Sequence, residues 1–529
     1  MWDNKEGYSF LTPPPPIQDS DITETLSYDI VILGSGLAGL CAALRASELG
    51  ARVAVLEKTA SFNVRGGHIG VANSKVWRAI GYENNPEELA REWIAACGNR
   101  AREDQVWLFI NRSEEAMDWL IDKTAKHGME PVLVGARYTG SSYTERYGSH
   151  LMLGPKHKGL PELAENLIED ARANGADFYF NTPGVRLEQS EDSYSGSIGS
   201  RDNSGGGSAG SSRSNSGGSR IISAIGGTPG NYKRFLAAKA VLLATGDIHG
   251  DREMLEAYCP MFLKIKNSQY NSPGANTGDG HKMGLWAGGA MEDSPLPTVM
   301  HPQGYTRMQQ FFLYVNTRGE RFMNEDTWCQ AKSLNVLKQP GAVDFAFSIF
   351  DADYVEQLIK GMPYSGGLFN DNSGSIYGKP FTGEREMAFV ESGLANGLIK
   401  QADDLAELAR LIDVPEDIFV STVSRYNEHA VQGRDADYGK RRELLFPIKN
   451  PPFYAAKFGP AMLVVTGGLF VDTKLRVVNK EFSPIPGLYA IGNVAGGLYG
   501  VDYPTIIPGN SHGRAVTWGY IAAENAIDD

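Results

Sequence analysis

Two short stretches of this chain combine residue types and spacings that could do chemistry. In the first, Gly34-Ser35-Gly36-Leu37-Ala38-Gly39 stands between an apolar run, Ile30 to Leu33, and an apolar-periodic stretch that reaches Leu49. A second apolar run, Val53 to Leu56, then ends in Glu57 and Lys58. The first glycine permits a tight turn, the second lets the backbone approach a pyrophosphate, and the third lets a helix pack on a strand. The helix N-terminus offers oriented N–H groups to the anion, and Glu57 stands where a carboxylate accepts hydrogen bonds from ribose hydroxyls. This is a dinucleotide-binding unit. The second stretch, Pro508-Gly509-Asn510-Ser511-His512-Gly513, is a turn entering a helix that runs to Ala526. Its unpaired N–H groups and positive dipole end are suited to face an electron-rich centre.

The elements that must position these stretches read as an α/β protein. Helical patterning covers Pro86 to His127 and Pro161 to Gly175, a short strand follows at Asp177 to Phe180, and a buried strand from Ala238 ends in Ala244-Thr245-Gly246-Asp247. Small residues at the C-terminal end of a strand fit the rim of a doubly wound sheet, where ligands lie. Between them, from about 190 to 219, the chain is almost all Ser, Gly, Asn, Asp and Arg. Such a composition cannot bury enough apolar surface to order itself, so it is expected to be a flexible loop at the tip of a hairpin. The expected organisation is an N-terminal arm (1–26, with Pro13 to Pro16 extended), a first part of the nucleotide domain (27–250), a separate lobe (251–447), and a second part of the nucleotide domain (448–529).

The 529 residues suffice for two or more domains. A net charge of -13 disfavours nucleic acid or an anionic membrane surface as the main partner. No apolar run approaches the length of a membrane span, and the first residues show neither a basic nor an apolar leader region, so the cytoplasm is expected. The four cysteines, Cys41, Cys97, Cys259 and Cys329, form no CxxC or CxxCH cluster. That argues against a disulfide scaffold, a c-type haem or an iron–sulfur centre, so electrons are expected to enter through an external donor or acceptor.

Over nearly its whole length the sequence resembles the FAD-dependent flavoproteins of the fumarate reductase and succinate dehydrogenase group. That group also includes 3-ketosteroid dehydrogenases and urocanate reductases, the members nearest in character. The resemblance rests on the glycine fingerprint with Glu57-Lys58, Leu243-Ala244-Thr245-Gly246, Thr277-Gly278-Asp279-Gly280, His301-Pro302, Val315-Asn316, and Arg321-Phe322-Met323-Asn324-Glu325. It continues through Tyr426-Asn427, Gly433-Arg434-Asp435, Tyr438-Gly439-Lys440, Gly467-Gly468-Leu469, and Pro486 to Asn493. It implies a Rossmann-like FAD-binding domain interrupted by a mobile α+β cap, with substrate held between them. It further implies cofactor contacts from Gly34, Gly36, Leu37, Ala38, Gly39, Glu57, Lys58, Gly66, Gly67, His68, Ala244, Thr245, Gly246, Asp279, Gly492, Asn493, Gly509, Asn510 and Ser511. Non-covalent FAD is favoured. A covalent link at His68 is the alternative, because some relatives attach the flavin through a histidine near this place. His301 is expected to have a structural or substrate-lining role, without metal, and Arg321 with Glu325 to support the wall of the cap.

The departures from the family pattern are informative. Aligned by hand, the proton-donating arginine of fumarate-type relatives falls at Cys329 or Trp328, its relay at Tyr305 and Met308, the substrate histidine near Leu463-Val464-Val465, and the carboxylate-binding arginine at Ile506. An unpaired carboxylate is costly to bury, so a small dicarboxylate substrate is disfavoured and an apolar, larger ligand is expected. Tyrosines remain as acid–base candidates: Tyr503 first, then Tyr499, and Tyr143 in a second cluster with Tyr138 and Tyr147. Backbone N–H groups near Gly509 are expected to polarise a conjugated carbonyl. Three readings follow: an FAD-dependent ene-reductase acting on an apolar enone, possibly of ketosteroid type; a 3-ketosteroid-type dehydrogenase running in reverse; and a flavin electron-transfer subunit.

Overall fold

In the computed structural model β1 (Ile22–Leu33), α1 (Leu37–Glu48) and β2 (Val53–Leu56) form the unit that the glycine spacing predicts, with β1 and β2 parallel and Leu33 opposite Leu56. The structure describes residues 7–64, 66–134, 144, 146–190, 219–269, 274–341, 343–361, 363–364, 375–376, 379–380 and 382–529. α1 is apolar on nearly every face because it lies between the sheet and the C-terminal helix Asn510–Asp528.

Around this unit the first sheet is ordered Arg476–Val478, Pro484–Ala490, Asn231–Leu243, β1, β2 and Asp177–Tyr179. Each neighbouring pair from Pro484–Ala490 to Asp177–Tyr179 is parallel. The C-terminal ends of β1, β2, Asn231–Leu243 and Pro484–Ala490 therefore open on one rim, and Gly34, Glu57, Ala244 and Ile491 follow them there. The strands Gly184–Gln189 and Ile221–Thr228 pair as an antiparallel hairpin on the edge of Asn231–Leu243. Residues 191–218 of the expected Ser/Gly loop lie outside the described residues.

A second, six-stranded sheet is built on the long strand Phe453–Val465, which pairs with Asn267–Ser268, Thr298–Tyr305, Ala346–Phe350 and Ile399–Ala402. Here the expected boundary at 447 needs correction. Phe453–Val465 belongs to the sheet of the lobe, and the chain rejoins the first sheet only at Arg476. The apolar pattern of that strand is the same in either sheet, so nothing local could have assigned it. The helix Arg252–Tyr258, expected in the lobe, packs into the core of the nucleotide domain through Met254, Leu255 and Tyr258. The N-terminal arm is also more ordered than expected. Residues 22–26 extend β1 along Tyr232–Phe235, and Phe10 is buried while its carbonyl accepts from the Trp286 indole.

Candidate active site

One cavity of about 340 Å³ runs along the rim of the first sheet to the edge of the second. Its nucleotide end is made of backbone. Gly34 has φ +108°, and a Cβ there would lie 2.4 Å from the Ala244 carbonyl oxygen; at Gly39 a Cβ would lie 2.0 Å from the Gly34 carbonyl oxygen. Gly34 and Gly36 line the cavity, and Gly39 does not, because its part is to let α1 sit against the turn. Leu37, Ala38, Glu57, Lys58, Gly66, Gly67, His68, Ala244, Thr245, Gly246, Asp279, Gly492 and Asn493 also line it.

The acid of this end is already engaged by the protein. Ser35 donates its N–H and hydroxyl to Glu57 Oε2, both at 3.0 Å, and Thr59 donates its N–H and hydroxyl to Oε1 at 2.9 and 2.7 Å. The Thr59 hydroxyl has one proton and the Ser61 carbonyl lies within 2.6 Å of it as a second acceptor, so a ribose hydroxyl can take its place on Glu57 while the Thr59 proton turns to Ser61. Lys58 is paired with Asp279 at 2.9 Å and hydrogen-bonded to Thr277 at 2.7 Å. That pairing explains the Thr277–Gly280 motif as a brace across the nucleotide end.

At the other end the lining changes to Val299, His301, Leu463, Val464, Tyr503, Thr505, Gly509, Ser511 and His512. The turn before the C-terminal helix is held from inside: Asn510 is buried and its Nδ2 donates to the carbonyls of Pro504 and Ile507 at 2.6 and 3.0 Å. Asn510 therefore shapes the turn and does not line the cavity. Gly509, at φ +80°, lies so close to His68 that a Cβ would come within 2.4 Å of its carbonyl oxygen. His512 Nδ1 donates to that same carbonyl at 2.7 Å, since a carbonyl can only accept. Burial, and then the neighbouring His512, push His68 down to about 4; burial, and then His68, push His301 down to about 3. Both imidazoles are neutral at physiological pH.

The tyrosines separate. The Tyr503 hydroxyl lies at the N-terminus of the C-terminal helix and accepts from the Ser511 N–H at 3.1 Å. Part of the amide array expected to face an electron-rich centre is thus directed to this phenol. Burial nonetheless holds Tyr503 well above the ordinary tyrosine range, against the lowering effect of the helix amides. Tyr499, by contrast, is not at the cavity. It is buried 5.9 Å from the parallel Trp93 ring, with the Arg514 guanidinium 4.6 Å from its own ring centre. Its assignment as an acid–base residue is corrected to core packing. Tyr143 and Tyr138 lie outside the described residues, and Tyr147 packs on Tyr82 and Trp77.

Cys329 does not line the cavity either; it is the first residue of the helix Cys329–Val336. The aligned relay positions hold no charge for a proton: Met308 is buried, and Tyr305 donates to Asp344 at 2.8 Å. Leu463 and Val464 do face the cavity, whereas Ile506 is buried outside it. Residues not foreseen as lining include Asn63, Val64, Asn276, Val299, Thr505 and His512. His512 lay in the turn already singled out, and Asn63 and Val64 lead into the expected Gly66–His68 contacts. The others are ordinary in type and are brought there by tertiary packing.

The glycine cradle and the cavity along the rim of the first sheet fit a dinucleotide such as FAD. Comparison with known proteins agrees. A model of the FAD binding domain family matches residues 29–505. The chain is 25% identical over 513 residues to a fumarate reductase (cytochrome) of Shewanella frigidimarina, covering 94% of this chain and 76% of that one. It is 26% identical over 532 residues to a vinyl phenol reductase of Lactiplantibacillus plantarum, covering 94% and 96%. Its fold is similar to that of a 3-ketosteroid-Δ4-(5α)-dehydrogenase from Rhodococcus jostii RHA1 solved with 4-androstene-3,17-dione, with TM-score 0.69, 22% identity, and 97% and 99% of the two chains covered. The chain belongs to the FAD binding domain family and, within it, to the FAD-dependent oxidoreductases of the fumarate reductase type.

Proposed function

We propose that this protein is an FAD-dependent ene-reductase that reduces an activated carbon–carbon double bond in an uncharged, largely apolar substrate such as an enone or aryl alkene. One observation carries the reading: among the described residues, the lining beyond the nucleotide end holds no carboxylate, lysine or arginine. Among the described lining residues the charged side chains are Glu57, Lys58 and Asp279, and all three are occupied with one another's surroundings at the nucleotide end. Val299, Leu463 and Val464 give an apolar wall, and His68 and His301 stay neutral. A dicarboxylate brought here would lose its hydration without finding a cation.

Bound FAD supplies hydride exchange at the substrate carbon. The residues of the chain bind and orient the substrate and move the proton. Tyr503 lines the cavity, and the Ser511 N–H on its oxygen stabilises the charge that appears there as the proton leaves. Burial keeps the phenol protonated, so it can deliver the proton in the reductive direction, and the same group would accept it in the reverse. The Ser511 amide is committed to Tyr503 and those of His512 and Gly513 to the Gly509 carbonyl, so this turn acts on the substrate through the Tyr503 phenol.

The test is anaerobic mixing of the reduced protein with steroid enones, aryl acrylates, vinyl phenols and fumarate while flavin reoxidation is followed. Fast reoxidation by a neutral alkene and slow reoxidation by fumarate are expected. Rapid fumarate turnover would overturn the reading, and reoxidation by a partner protein alone would make the chain an electron-transfer subunit. We infer that the flavin is held without a covalent bond, so acid precipitation should give a colourless pellet and a yellow supernatant.

A further inference from the structure

Arg514 takes no part in the reaction above, yet it occupies an unusual place. It lies in the first turns of the C-terminal helix and is fully buried. Its guanidinium donates to the Thr466 and Ala495 carbonyls at 2.7 and 3.0 Å and to Asn493 Oδ1, and its Nε–H has no partner. Among the described residues no carboxylate forms an ion pair with it. Glu292 acts on it from beyond contact range, with its own oxygens engaged by the N–H groups of Gly468 and Gly497 at 2.8 and 2.7 Å.

The partners of Arg514 and Glu292 interleave. Thr466 precedes Gly467-Gly468, Ala495 precedes Gly496-Gly497, and in each segment the carbonyl goes to the arginine while the later amide goes to the glutamate. Thr466 directly follows the strand that carries Leu463 and Val464 into the cavity, and Asn493 itself lines the cavity. Neutral donors could staple two backbone segments. A buried guanidinium without a contacting carboxylate is a costly choice for that purpose alone. What a cation adds is a field, and what Arg514 adds besides is an orientation. Arg514 and the Ser511 hydroxyl both bond to Asn493 Oδ1, and a guanidinium can only donate. The amide oxygen is therefore held by the helix, so a contact from this cavity-lining side chain to a bound cofactor would come from its NH2.

We propose that Arg514 is a positioning residue for the flavin, which holds the Asn493 amide with its NH2 toward the cofactor and supplies a buried positive charge that favours the reduced cofactor. This rests on FAD binding and not on the identity of the alkene, so failure of the ene-reductase reading leaves it standing.

The experiment is the reduction potential of the FAD-loaded full chain, measured anaerobically against reference dyes, for wild type, Arg514→Gln, Arg514→Lys and Asn493→Leu. Arg514→Gln should disfavour reduction about tenfold, a lowering of about 30 mV for a two-electron couple. Asn493→Leu and Arg514→Lys should lower it less: the first keeps the charge but loses the oriented amide, and the second cannot reach all three acceptors at once. A purely structural role would lower stability and leave the potential of the bound flavin unchanged. A wild-type potential in Asn493→Leu, or in a folded Arg514→Gln, overturns the proposal. Should Arg514→Gln fail to fold, a wild-type potential in Arg514→Lys does the same.

Discussion

The far end of the cofactor cavity and the core of the cap differ most in where they place charge. The cavity end is lined by Val299, Leu463, Val464, Tyr503 and neutral histidines. In the cap, Arg321 makes a bidentate contact to Glu325 (2.9 and 2.8 Å) and another to Asp435 (2.9 and 2.9 Å), while Lys440 lies 3.3 Å from Glu325 and 2.9 Å from the Tyr426 hydroxyl. Arg321 is 5% exposed, and Glu325, Asp435 and Lys440 are 0% exposed at their side chains. The charged motifs that define the lobe in sequence are thus neutralised against one another. They hold the cap together, and among the described residues no lysine or arginine lines the far end of the cavity.

Breaking the backbone cradle should have the largest effect. Gly34→Val forces a β-branched side chain into a left-handed φ and onto the Ala244 carbonyl; the purified protein should carry almost no flavin, read by absorbance. Within the uncharged end, Tyr503→Phe removes the proton donor and should slow alkene-driven reoxidation by about 10²–10⁴-fold while the flavin content holds. A rate within a factor of two of wild type would remove Tyr503 from the mechanism.

The charged side of the comparison is tested by Asp435→Asn, which leaves Arg321 half-paired and should cost about 3–5 kcal/mol in unfolding free energy, seen as a lower thermal midpoint. The Arg321 guanidinium, hydrogen-bonded to Asp435, helps hold this carboxyl far below the usual carboxylate range against the effect of burial. Its stabilising contribution is therefore full above the unfolded pKa of about 3.9 and is lost as the pH falls below it. The Asn variant should lack that part of the acid-side loss. The smallest effect is expected from putting a charge into the neutral region: Val464→Arg, at a position that lines the cavity, should raise reoxidation by fumarate roughly tenfold, about the worth of one hydrogen bond to a charged group.

The legible parts of this molecule are those whose cause is local. Turn geometry, helix start and strand end fall within thirty residues of one another between β1 and β2, so Gly34, Gly36, Gly39 and Glu57 could be given their places from spacing. The i,i+4 pairing of Arg321 with Glu325 was equally open to inspection, but its second partner, Asp435, comes from 114 residues away. Phe453–Val465 misled because an apolar strand reads alike in either sheet. Tyr499 and Tyr503, four residues apart in one loop, illustrate the limit more sharply: one is stacked on Trp93 and the other reaches the cavity, and no periodicity separates them in irregular chain.

By itself the sequence determined the dinucleotide cradle and the α/β class, because each depends on residue type and short spacing. Only the tertiary structure decided that Tyr503 rather than Tyr499 faces the cavity and that Arg514 stands behind Asn493. Those depend on which distant segments meet, and long-range packing sets them.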